Sequence, residues 1–131
     1  MKKAIMYYAF NEESIFLEAA TFAESNDLTL IGEFGDIREE EGSDLDDVID
    51  SLMYWIEEEE VKHIMITSLV SLSRNVIEAI EIKDKLHSMG ICVWLMITCS
   101  RTLNDDGTVN ELTDKVFTLL KENYYFENKY K

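Results

Sequence analysis

The stretch VKHIMITSLVSLSRNVIEAI, residues 61–80, decides the fold of this chain. It contains a short apolar run (61–67), a serine-rich turn (68–75) and then apolar residues at helical spacing. This order is typical of a parallel α/β sheet, in which ligands bind beyond the carboxyl ends of the strands. A helix start at that position presents backbone N–H groups to an anion. The sequence therefore predicts an anion site formed by Ser73 and Arg74.

The same alternation of strand and helix patterns extends over the rest of the chain. Apolar runs predict strands at residues 4–10, 28–34, 61–67 and 91–98, of which 28–34 has the alternation of an edge strand. Helical spacing predicts helices at residues 12–25, 43–60, 75–88 and 109–126. The order predicts a single three-layer α/β domain over residues 1–131. Its sheet is expected to be mostly parallel, with four strands or slightly more and helices on both faces.

The charge of the chain is strongly acidic. It has 27 acidic residues against 12 lysines and arginines, a net charge of −15. Residues 33–60 alone hold 13 acids and one base, so they contribute 1 − 13 = −12. Because neutralisation of phosphates by Lys and Arg supplies most of the affinity for DNA, direct DNA binding is not expected. Residues 33–60 are either a solvated surface or an acidic docking surface for a basic partner.

The sequence also indicates the cellular compartment of the protein and whether it binds a cofactor. No apolar run approaches the roughly 18 residues of a membrane span, and the first residues lack a signal-peptide pattern, so we expect a cytoplasmic protein with no membrane anchor. Cys92 lies within the strand predicted at 91–98 and Cys99 directly after it, and both are expected to be unbridged core thiols. We expect no metal or other cofactor, because paired metal-ligand spacing and glycine-rich phosphate loops are missing.

The turn after the third strand resembles a known family. Residues 69–75, LVSLSRN, are similar to the Leu-Asp-Arg-Leu-Ser-Arg-Asn loop of the serine recombinases, the resolvases and invertases. The helix start at 44–52 and the helix–glycine–strand rhythm of 78–96 are similar to the same family. The resemblance covers nearly the whole chain and implies the fold of the resolvase catalytic domain.

The resemblance also implies an altered active site at the end of the first strand. Members of this family attack a DNA phosphodiester with a serine hydroxyl and stabilise the transition state with several arginines. Here Phe10 stands at the position of the nucleophile and Tyr8 at that of the arginine two residues before it. Because phenylalanine cannot attack phosphate, we expect DNA strand exchange to be absent.

The loop positions are altered as well. Val70 replaces the family's aspartate and Ser71 replaces an arginine, whereas Ser73 and Arg74 match the family. Ser73 and Arg74 are therefore the vestigial candidates for a catalytic role. Family members carry a DNA-reading domain after their last helix, and we expect none in this chain.

The last predicted helix carries apolar and aromatic residues along its length. The resemblance implies that this helix forms a dimer interface, and aromatic residues are favoured anchors there. Packing of the aromatic tail back onto the sheet stays open as the alternative. The predicted interface residues are Leu112, Val116, Leu119, Leu120, Tyr124, Tyr125 and Phe126.

These observations lead to three functional hypotheses. The first is a catalytically inactive serine-recombinase-like domain that acts by protein association, as a homodimer or with a recombinase-type partner. The second is an active site-specific DNA recombinase with an atypical nucleophile. The third is a domain that senses a small anion at Arg74.

Overall fold

The structure is a computed structural model that describes residues 2–9, 16–36, 45–73 and 75–129. These residues form five strands and four α-helices, joined in part by a short 3-10 turn at Leu69–Ser71. The strands are β1 (Lys2–Ala9), β2 (Leu28–Asp36), β3 (His63–Ile66), β4 (Cys92–Leu95) and β5 (Ser100–Arg101). The helices are α1 (Phe16–Ser25), α2 (Leu45–Glu59), α3 (Val76–Ser88) and α4 (Glu111–Lys129).

The strands form one sheet in the order β2-β1-β3-β4-β5. All neighbouring pairs are parallel except β4 and β5, which are antiparallel. The predicted α/β architecture with a mostly parallel sheet is confirmed, and β2 is an edge strand as expected. The helix predicted from residue 12 is described from residue 16 onward, and the helix predicted from residue 43 is described from residue 45 onward. The earlier residues of both predicted helices lie outside the described part.

Alternate side chains of the inner strands point to two separate cores. On one face, Ile5 and Ile64 pack with residues of α2, α3 and α4, including Leu52 and Phe117. On the other face, Met6, Met65 and Trp94 pack with Ala19 and Ala23 of α1. Strands buried on both faces have no room for polar alternation, which explains the continuous apolar runs in the sequence.

The structure corrects the prediction for residues 91–108. A single strand was expected to reach residue 98, but β4 ends at Leu95 and the chain turns back into β5. Cys99 in this turn has a positive φ of 50° and is exposed, so it is not the core thiol that was expected. Ile97 is apolar like the strand before it, yet it is 73% exposed. Its hydrophobicity made the run look longer than the strand.

The ends and faces of α2 and α3 also differ from expectation. The acidic residues 57–60 oppose the helix dipole, yet α2 continues to Glu59 and is followed by Glu60, which has a φ of 53°. In α3, the apolar Ile77 is only half-buried. Lys83 is buried instead, paired with Asp84.

Helix α4 is anchored by very few side chains. Among its described side chains, only Thr113 and Phe117 are buried. The Thr113 hydroxyl donates to the Arg101 carbonyl oxygen at 2.7 Å. The ammonium of Lys83 lies 4.6 Å from the centre of the Phe117 ring, a cation–π contact that joins α3 to α4.

We expect Phe117→Ala to lower the free energy of unfolding by about 3 kcal/mol, because it removes the buried aromatic contact and leaves a cavity beside Lys83. Lys115→Ala on the exposed side of α4 is the matched control and should change stability by less than about 0.5 kcal/mol. Urea denaturation followed by circular dichroism measures both. Similar small losses in the two variants would show that Phe117 does not hold the helix.

Candidate functional site

The loop between β3 and α3 is a compact turn at the carboxyl edge of the sheet. The backbone N–H groups of Ser71 and Leu72 donate to the carbonyl oxygens of Ser68 and Leu69, at 3.0 and 2.9 Å. Leu72 is fully buried and fixes the turn to the core. The predicted strand–turn–helix arrangement is therefore present, and the loop lies where α/β sheets place ligand sites.

Ser71 stands where the resemblance places an arginine of the recombinase family. Its side chain is buried, and its Oγ lies 2.8 Å from Oγ1 of Thr67. A short hydroxyl directed into the protein cannot supply the positive charge of a guanidinium. At this position the chain has a structural hydrogen bond.

Ser73 takes part in the cap of α3. Its hydroxyl donates to Oε2 of Glu78 at 3.0 Å and accepts from the N–H of Asn75 at 3.1 Å. The Oδ1 atom of Asn75 accepts from the N–H groups of Ile77 and Glu78, at 2.9 and 3.1 Å. The cap thus satisfies helix N–H groups that an anion could otherwise bind. An anion beside Ser73 would also meet the Glu78 carboxylate.

The remaining predicted active-site residues are only partly within the described chain. Tyr8 lies in β1, paired with Gly35 of β2, and Val70 lies in the 3-10 turn. Phe10 and Arg74 lie outside the described residues. The anion site at Arg74 stays a prediction.

An apolar groove of about 510 Å³ lies between this loop, the end of β4 and α4. Leu69, Val76 and Ile97 line it from the body of the domain. Sequence reasoning did not find these three residues, because they come from separate segments. From α4 the groove is lined by Leu112, Thr113, Val116, Phe117 and Leu120.

Four of the predicted interface residues lie exposed along α4. Leu112 is 75% and Leu119 is 64% exposed, and Val116 and Leu120 are also accessible. Tyr124 is half-buried. Tyr125 and Phe126 belong to α4, but their side chains lie outside the described part. The structure thus brings the groove and an apolar side of α4 together in one surface.

Within the described residues, no group of three or more His, Cys, Asp or Glu side chains is placed to hold a metal ion. Cys92 is buried and Cys99 exposed, and both are free thiols. None of the described helices combines the length and the apolar character needed to cross a bilayer.

By sequence, the chain matches no protein-family model and no curated protein. Among the solved structures that are similar to this chain, two cover nearly its full length. The N-terminal catalytic domain of TP901-1 integrase aligns with a TM-score of 0.69 and 20% identity, over 99% of each chain. A resolvase family site-specific recombinase from Streptococcus pneumoniae aligns with a TM-score of 0.61 and 14% identity, over 98% of this chain and 91% of that chain.

The chain has the fold of a serine recombinase catalytic domain. The resemblance inferred from residues 69–75 is therefore confirmed at the level of the fold. Within this recombinase fold, the β3–α3 loop has a capped helix start and a buried Ser71, and α4 is the helix with the exposed apolar side. At these low identities the similarity establishes the architecture and not the reaction.

Two histidines in the domain have lowered pKa values. Burial lowers the pKa of His63, and the nearby positive charges of Lys2 and Arg101 lower it further. Burial and then the ammonium of Lys83 lower the pKa of His87. The Nε2 atom of His87 is buried without a hydrogen-bond partner in the described structure. Both side chains therefore favour the neutral form in the folded state.

These shifts predict that mild acid destabilises the protein. In the unfolded chain a histidine titrates near pH 6.5, so between that pH and the lower folded pKa the unfolded state binds more protons. The free energy of unfolding should fall as the pH decreases from about 7.5 to about 5.5. His87→Gln should make this fall smaller, measured by urea denaturation across the pH series. An unchanged pH dependence in the variant would contradict the role of His87.

Proposed function

We propose that this chain is a catalytically inactive serine-recombinase-like domain that acts in the cytoplasm through association with a second copy of itself. The observation that carries the proposal is the exposed apolar side of α4. Large apolar surfaces on a folded domain mark sites of interaction. A recombinase-type protein with a similar helix is the alternative partner.

The sequence supports the loss of catalysis. Phe10 occupies the position of the serine nucleophile, and Val70 and Ser71 replace two charged residues of the loop. Removing one stabilising donor from an active site costs about 10²–10³ in rate, and here several groups and the nucleophile are replaced. The two similar structures are described as an integrase and a site-specific recombinase. The fold is thus retained while the chemistry implied by the resemblance is not.

The geometry of α4 supports self-association. Thr113 and Phe117 face the body of the domain, whereas Leu112, Val116 and Leu119 lie on a neighbouring side of the helix. A twofold axis beside α4 would bring this side against the same side of a second copy. Such an isologous contact needs only one self-complementary patch, which suits a single apolar helix.

We expect the wild-type protein to sediment as a dimer and Val116→Glu and Leu119→Glu to be monomers, because each buries a charge in the apolar contact. Thr118→Glu is the matched control, since it places the same charge on another side of α4, and it should stay dimeric. Sedimentation velocity measures the mass, and circular dichroism checks that each variant is folded. A monomeric wild type, or a dimer that survives both substitutions, would contradict the proposal.

The hydrogen bond from Ser73 to Glu78 favours one second candidate, an active recombinase with an atypical nucleophile. A hydroxyl that donates to a carboxylate has the geometry of a nucleophile beside its base. This candidate predicts a covalent protein–DNA adduct on a denaturing gel that Ser73→Ala abolishes. Ser71→Ala, which removes a hydroxyl bonded within the loop, is the control. No adduct with the wild-type protein leaves the association proposal in place.

A further inference from the structure

Three positively charged side chains converge at the edge of the sheet opposite the β3–α3 loop. Lys2 begins β1, Lys62 immediately precedes β3, and Arg101 lies in β5 beside β4. They line a hollow of about 190 Å³, together with His63 and Asp105. Parallel strands begin at one edge of a sheet, which places Lys2 and Lys62 there, and the antiparallel β5 runs back to the same edge and ends at Arg101.

The hollow already holds one oxyanion, the side chain of Asp105. Its Oδ1 atom accepts from Nζ of Lys2 at 2.7 Å and from Nη1 of Arg101 at 2.8 Å. These bonds hold the pKa of Asp105 at about 2. The carboxylate is 70% exposed and belongs to a surface turn in which Asn104 and Thr108 are hydrogen-bonded. The two cations are therefore arranged to recognise an oxyanion that can be displaced.

Positive charge is in excess at this hollow. Lys2, Lys62 and Arg101 against Asp105 give 3 − 1 = +2, in a chain whose net charge is −15. Within the described residues Lys62 forms no ion pair. Burial lowers the pKa of His63, and the positive charges of Lys2 and Arg101 lower it further, whereas Asp105 raises it. An anion would relieve this excess.

His63 adds a neutral donor. Trp94 Nε1 donates to Nδ1 of His63 at 3.0 Å. Because the indole nitrogen is only a donor, Nδ1 must be unprotonated and the ring hydrogen lies on Nε2. The hollow thus combines two ammonium groups, one guanidinium and one imidazole N–H, a set of donors suited to a tetrahedral oxyanion.

We propose that Lys2, Lys62 and Arg101 form a binding site for a small phosphate-type oxyanion, which takes the place of the Asp105 carboxylate. The volume of about 190 Å³ suits a single phosphate group. A second hollow of about 610 Å³ shares Lys2, Arg101 and Asp105 and is also lined by Asn26 and Asn110. It has room for the organic part of a phosphate monoester. No residue of α4 lines the smaller hollow, so the phosphate site itself does not depend on the association proposed above. Leu112 and Thr113 of α4 line only the larger hollow.

The test is a titration with inorganic phosphate, followed by the ¹H–¹⁵N NMR signals, with sodium chloride at matched ionic strength as the reference. We expect saturable shifts confined to the region of Lys62, His63 and Arg101. Lys62→Gln and Arg101→Gln should each weaken binding about tenfold, the size expected for one charge-assisted hydrogen bond. Asp105→Asn should strengthen it, because the competing carboxylate loses its charge.

Lys115→Gln is the matched control, since it removes the same charge from an exposed position on α4 and should leave the affinity unchanged. The Arg101 guanidinium also lies over the Trp94 ring, 5.3 Å from its centre, so the dispersion of the NMR spectrum checks that Arg101→Gln is folded. Lys62→Gln tests the site without removing that contact. Non-saturable shifts, or the same loss of affinity in Lys115→Gln, would overturn the proposal.

Glycerol phosphate distinguishes the two sources of the phosphate group. Tighter binding than inorganic phosphate, with shifts that extend to Asn26 and Asn110, would assign a monoester. Equal or weaker binding would assign the free ion. Salt-sensitive binding of duplex DNA that shifts the same residues more strongly than either phosphate would overturn the small-ligand assignment in favour of a nucleic acid.

Discussion

Burial of β1, β3 and β4 on both faces is the constraint on which the rest of the structure depends. Side chains such as Ile5 and Met6 point to opposite cores, so each face of the sheet must be covered by helices. The buried residues 4–7, 64–66 and 92–95 of these strands are largely apolar, and the backbone hydrogen bonds of the parallel ladder need neighbours on both sides. Each connection between two parallel strands therefore leaves the sheet at its carboxyl edge and returns to its amino edge. One edge receives the β3–α3 loop, and the other collects the residues that precede the strands.

The β3–α3 loop is held by burial and helix capping, with Val70 and Ser71 at the positions where the resemblance places charged residues. Leu72 fixes the loop by burial, and Asn75 and Ser73 satisfy the start of α3. None of these contacts requires an aspartate at Val70 or an arginine at Ser71. The bond between Ser71 and Thr67 in fact stabilises the loop in a way that a buried guanidinium could not without a partner. The backbone of the loop thus does not depend on charged residues at these two positions.

The sequence predicts the elements that depend on local pattern and misses what depends on tertiary contact. Strands β1 and β3 and the position of α3 follow from apolar runs and from helical spacing. The short antiparallel β5 does not, because Ile97 carries the apolar pattern past the true end of β4. Burial of Lys83 requires Phe117 from another helix. The convergence of basic residues at the opposite edge joins segments far apart in the chain, so no spacing rule could indicate it.

The position of the charge matters for any contact that α4 makes. Residues 33–60 carry −12, whereas α4, with four acids and three bases, carries 3 − 4 = −1. Repulsion between two copies is screened within about 8 Å at physiological ionic strength, so charge that lies elsewhere opposes a contact through α4 only weakly. The same acidic segment still repels the phosphates of DNA. The acidic charge therefore disfavours contact with DNA, while the apolar side of α4 stays suited to contact with a protein.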